Sequence, residues 1–229
     1  MTQPRYPGDV NAAHADTPAP EKPLLRGVFH EIAAPVALAA SALLARAAAP
    51  GRARTAAVVY GATLVALFLV SALYHRPNWA PRVRAVVRRL DHAAILLLIA
   101  GTYTPFCLIL GGTAGKALLA IVWTGAALGL LRAILWARAP RALVAGIYLL
   151  LGWAVLPVLP SLHALLGAPA LALLGAGGLV YSLGAVVYAT RRPDPFPRVL
   201  GYHEIFHAMV IAAAALHFAV VAMAIRALG

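Results

Sequence analysis

The sequence predicts an all-α, polytopic membrane protein built as a bundle of seven transmembrane helices. Three observations predict it. Apolar runs of about 20 residues, the length needed to cross a hydrocarbon core, recur along the chain. Only 11% of the 229 residues are charged and 62% are hydrophobic, whereas soluble domains carry about 25% charged residues. The lysines and arginines sit in short clusters between the apolar runs, as in loops that face anionic lipid. The net charge of +12 therefore belongs to a membrane topology, and nucleic acid is not expected as a partner.

Residues 1–23 are polar and rich in Pro and Ala, with no apolar core. They read as a disordered cytoplasmic tail rather than a signal peptide, and His14 within them as incidental. Residues 24–229 form a single transmembrane domain. Its spans are expected at 28–46, 56–75, 90–110, 117–136, 143–161, 170–189 and 202–225. The linker "RPNWAPRVRAVVRR" after the second span has two prolines and the densest basic cluster. "LGGTAGK" marks a tight turn between spans three and four, and "GAGG" at 175–178 gives span six a face for close helix packing. "RRPDPFPR" carries three prolines and cannot continue a helix. Cys107 is the one cysteine and lies inside an apolar run, so it is expected to be a buried structural thiol. His163 is expected in a loop. Tyr74, Trp79, Tyr103, Trp123, Trp136 and Trp153 fit interfacial or packing roles.

Orientation follows from the basic residues. With the N-terminus in the cytoplasm, fourteen lysines and arginines fall inside. Five fall outside: Arg46, Arg52, Arg54, Lys116 and Arg226. The positive-inside rule then gives a cell-membrane protein with its N-terminus cytoplasmic and its C-terminus outside.

Polar groups within spans are expensive, so each is a functional candidate. Span two ends "SALYH", with Ser71 and His75; span three begins "LDHAAI", with Asp91 and His92; span seven begins "YHEIFH", with His203, Glu204 and His207. With seven spans these three segments meet at one membrane face, here the cytoplasmic one. His203 and His207 are four apart and share a helix face. A third imidazole, His75, makes a three-histidine set of the kind that binds Zn2+ and leaves a fourth position for water. Asp91 is placed to hydrogen-bond that water or orient a ligand, and Ser71 lies one turn before His75. His30 and Glu31, at the start of span one, are candidates to line the site or simple helix-start residues. His217, mid-membrane on span seven, reads as a packed interior histidine.

The letters His203-Glu204-x-x-His207 also spell the HExxH of zinc proteases. A longer metalloprotease pattern needs a histidine at 213, where this chain has Ala213, and no later Asp-bearing segment follows. Glu204 is offset about 100° around the helix from His203. It sits in the first turn, where a carboxylate caps the helix or pairs with an arginine such as Arg198.

The set Ser71-x₃-His75, Asp91 and His203-x₃-His207, with "LRGVFHEIA", "GTYTPF" and "YHEIFHAMVIAAAALHF", resembles the progestin and adipoQ receptor family, in its bacterial hemolysin III branch, over roughly residues 24–226. The resemblance implies a seven-helix bundle with zinc on His75, His203 and His207. It places Asp91 near water at the fourth position and Ser71 beside it. The wider superfamily includes alkaline ceramidases, which implies hydrolysis of a lipid amide or ester, with membrane lipids as partners. His92 stands where some relatives have Tyr and takes no role from the resemblance. Two further readings stay open: a non-enzymatic channel, receptor or membrane-homeostasis protein with structural zinc, and the pore formation that the hemolysin label implies.

Overall fold

The computed structural model describes residues 22–136 and 139–229. The expected tail, His14 and Arg138 lie wholly or almost wholly outside them. Seven α-helices follow in order: α1 (Val28–Ala47), α2 (Arg52–His75), α3 (Pro81–Leu110), α4 (Gly112–Leu135), α5 (Arg141–Gly152), α6 (Leu159–Thr190) and α7 (Tyr202–Ala227). A short 3₁₀ turn, Leu156–Val158, precedes α6. Among the described residues there is no strand, only an isolated bridge between Phe196 and Leu200.

By length and composition these helices make six segments able to cross a membrane, because Arg141–Thr190 counts as one apolar stretch of 50 residues. The expected spans 143–161 and 170–189 both fall in it. The stretch is not straight. An unbroken helix of that length would extend about 75 Å, yet the Trp153 indole N–H donates to Ser182 Oγ at 3.0 Å, and its ring lies over Gly178. The reversal occurs at Gly167, whose φ of 78° and ψ of 172° interrupt α6, with Pro169 following. A φ in that region is open to glycine at little steric cost. The Tyr103 hydroxyl donates to the Gly152 carbonyl at 2.6 Å, satisfying one of the acceptors freed where α5 ends.

Helices adjacent in sequence pack side by side from α1 to α4, and α6 lies along α7. Buried positions are rich in small residues: Ala53, Ala56, Ala57, Ala213, Ala214 and Ala224. Large apolar residues such as Leu38, Leu69, Leu128 and Leu183 point outward. This is the inversion expected in lipid, where exposed leucine is not penalised and close backbone approach supplies the packing. Gly177 of the "GAGG" stretch gives room to the His217 ring, whose Nε2 lies 3.2 Å from the Leu174 carbonyl. His217 is thus a packed interior histidine, and Cys107 is buried and free.

Two local expectations change. The basic linker is shorter than its composition suggests, because α3 begins at Pro81 and carries Arg82 to Arg89 as helix. Proline is favoured at the first helical position, where its missing N–H has no intrahelical partner to lose, so 76–80 alone forms the connection. His163 is exposed, but on the first turns of α6 rather than in a loop.

Candidate metal centre

Two helices bring the histidines together. His75 is the last residue of α2, while His203 and His207 occupy the first two turns of α7. One ligand nitrogen from each of the three lies within 4.8 Å of those of the other two. His75 Nε2 and His203 Nε2 are 3.1 Å apart. Tetrahedral zinc with nitrogens at 2.0–2.1 Å implies nitrogens about 3.4 Å apart, so the cluster is the right size for a single ion. His75 and His207 are buried and His203 nearly so. Packing three imidazoles this tightly away from water, with few other partners, fits a metal ion; imidazole suits zinc, copper, iron and nickel.

The chain approaches the site closely at Gly27, which caps α1 with φ 81°. A Cβ there would lie 2.7 Å from the Cβ of His75. Gly51 also has positive φ, 89°, but has no atom within 4 Å of such a Cβ. Gly27→Ala is therefore expected to reduce thermal stability more than Gly51→Ala, by about 1–3 kcal/mol for the added overlap, and to lower metal content alongside. Unfolding scans and metal analysis of the two variants check this; equal effects would show that the approach to His75 is immaterial.

Asp91, in the third turn of α3, is 9% exposed, and Ser71, one turn before His75, is 2% exposed. The Ser71 hydroxyl is a neighbour of the Asp91 carboxyl. The structure thus places Ser71 near Asp91. It gathers His75, His203 and His207 separately, and Asp91 is not among the groups within 4.8 Å of one another. His92 bonds outside the histidine cluster: its Nδ1 meets the Arg88 carbonyl at 2.8 Å and lies 3.7 Å from Asp91 Oδ2.

Glu204 is 0% exposed and both of its oxygens are occupied. Oε1 accepts from Arg26 Nε at 2.5 Å, and Oε2 accepts from the Gly201 N–H at 2.9 Å. Capping is as the sequence predicts, but the cationic partner is Arg26, 178 residues away, rather than Arg198. No free carboxylate oxygen of Glu204 is left for water at the histidines.

His30 is the residue that sequence reasoning undervalues. It is 2% exposed, and its ring is stacked on His207 with centroids 3.9 Å apart and planes 8° apart. Phe68 meets its edge at 5.0 Å, and neither ring nitrogen has a hydrogen-bond partner. A histidine in the first turn of an apolar span was the available signal. Glu31 instead pairs with Arg76 at 2.7 Å, and both side chains are largely exposed.

The sequence matches the haemolysin-III-related family over residues 19–218. The chain belongs to this family. It is 38% identical to Hemolysin-3 of Bacillus cereus over 161 residues, 70% of each chain. It is 35% identical to the Hemolysin-3 homolog of Bacillus subtilis over 161 residues, 70% of this chain and 72% of that one. It is also 30% identical to the human Monocyte to macrophage differentiation factor over 188 residues, 80% of this chain and 75% of the other. Family membership and six apolar helical segments make this haemolysin-III-related protein a multi-pass membrane protein.

Proposed function

We propose that this haemolysin-III-related protein is a zinc-dependent membrane hydrolase acting on a lipid amide or ester. The observation that carries the reading is the meeting of three imidazoles, two buried and one half-buried, from two helices, with buried Asp91 and Ser71 delivered to the same end of the bundle. Zinc held by His75, His203 and His207 would supply Lewis acidity toward a carbonyl and toward water. Asp91 takes up and returns the proton, because it is the carboxylate here not committed to an arginine. Ser71 holds the Asp91 carboxyl in orientation. The low dielectric around these groups strengthens each of these interactions. Purified protein incubated with a fluorogenic lipid amide and its ester counterpart tests this: zinc-dependent release supports it, and no release of either at full zinc occupancy would sink it.

His30 favours a second reading. A fourth imidazole with two unpartnered nitrogens beside the triad would close the coordination sphere if it swung onto the metal, giving a structural site in a non-enzymatic protein. The name of the bacterial relatives suggests lysis as a third; leakage of dye from liposomes carrying the protein tests that alone.

The topology belongs to the same proposal. The fold-back at Gly167 supports two crossings within Arg141–Thr190, seven in all, with the histidines on the cytoplasmic side and the C-terminus outside. A cysteine introduced at Asn78 is expected to be shielded from impermeant thiol reagents in intact cells, and one at Leu228 to react. Cys107 is buried and contributes little background. Labelling at Asn78 but not Leu228 would invert the orientation.

A further inference from the structure

Beside the histidines, three arginines gather with little to neutralise them. Arg132 stands in the last turn of α4, Arg141 at the start of α5 and Arg88 on the second turn of α3. All three lie around His92, whose ring nitrogen meets the Arg88 carbonyl at 2.8 Å. Arg141 is held in place: one of its N–H groups donates to the Tyr202 hydroxyl at 3.0 Å, and its guanidinium lies 5.5 Å from the Tyr188 ring centroid. Those two tyrosine rings flank His203, at 6.0 and 6.1 Å. Arg132 neighbours Tyr148, whose hydroxyl donates to the His92 carbonyl at 3.3 Å. The Nε and Nη2 of Arg132 are buried without a hydrogen-bond partner.

The charge does not balance locally. Among the described residues none of the three arginines forms an ion pair, while Glu31 and Glu204 are taken by Arg76 and Arg26. Asp194 accepts from the Tyr202 N–H, and Asp91, near Arg88, is the remaining side-chain carboxylate among the described residues. A buried guanidinium edge with no acceptor is costly unless an anion completes it. We propose that Arg132 and Arg141, with Arg88 at the rim, form a binding site for a phosphate-type oxyanion beside the candidate metal centre. Phosphate fits better than carboxylate because it offers three acceptor oxygens and up to two negative charges to guanidinium forks on two different helices. Carried by a lipid, such a headgroup would hold the acyl linkage toward the histidines. That consequence rests on the hydrolase reading; the binding does not.

The test uses purified full-length protein in phosphatidylcholine nanodiscs, titrated with short-chain phosphatidic acid in one arm and inorganic phosphate in the other, with metal content measured on each sample. Arg132→Gln and Arg141→Gln are each expected to weaken binding at least about tenfold, whereas Arg82→Gln, on the exposed start of α3, changes it less than about twofold. Arg132→Lys keeps the charge and is expected to fall between wild type and Arg132→Gln, which separates lost binding from lost folding. Tighter binding of phosphatidic acid than of phosphate assigns a lipid source, and equal binding assigns free phosphate; both support the oxyanion site. No binding in either arm, unchanged binding in Arg132→Gln and Arg141→Gln, or an equal loss in Arg82→Gln would overturn it. Metal-free protein that still binds phosphate would count against the hydrolase reading alone.

Discussion

Replacing His75, His203 or His207 by alanine is expected to weaken metal binding by at least about 100-fold, or about 2.7 kcal/mol. Among the described residues each imidazole is one of three ligand groups gathered within 4.8 Å, so removing one leaves two, fewer than any structural or catalytic zinc site retains. The loss is expected to be similar for the three, because His75 arrives on a different helix from His203 and His207 and neither helix can substitute for the other. His217→Ala serves as the control. It lies three turns further along α7, bonded to the Leu174 carbonyl, and is expected to keep full metal. Metal content after purification, measured at a defined free zinc concentration, checks the set. Retention by all three variants would remove the site.

The second large effect separates two carboxylates. Asp91→Asn is expected to reduce hydrolysis by about 10²–10⁴-fold, the usual contribution of a positioned acid or base, while metal stays bound. Glu204→Gln is expected to keep at least about a tenth of the activity, a barrier change of no more than about 1.4 kcal/mol. Its defect should appear in stability instead. Glu204 is fully buried and anchors Arg26 to the start of α7, and weakening such a pair costs about 1–3 kcal/mol. Because the two residues are in contact, Arg26→Gln combined with Glu204→Gln is expected to lose less than the sum of the single losses. A dead Glu204→Gln beside an active Asp91→Asn would reverse the assignment and make the HExxH glutamate the base.

Much of this arrangement is legible in the chain. Long apolar runs give the helices, the expectation of seven crossings puts His75, Asp91 and His203 at one face, and the spacing of four puts His207 beside His203. What escapes the sequence has identifiable causes. The Arg26–Glu204 pair joins residues 178 positions apart, and nothing local distinguishes Arg26 from Arg198 as the partner. The stacking of His30 on His207 depends on how closely α1 approaches α7, which no local motif records. The break at Gly167 falls in the gap between the expected spans 143–161 and 170–189, although the helix runs on to either side of it and the apolar stretch is continuous. The arginines look like ordinary positive-inside residues, and it takes the structure to show that two nitrogens of Arg132 are buried without a partner.

The central claim is that three histidines hold zinc and leave a position open for chemistry. X-ray absorption at the zinc edge of the purified protein measures this most directly. About one zinc per chain is expected, with three imidazole nitrogens at about 2.0–2.1 Å and a fourth, exchangeable position not filled by imidazole. Four imidazoles, reduced to three by His30→Ala, would contradict it by showing a closed structural site, and the absence of bound zinc would contradict it outright.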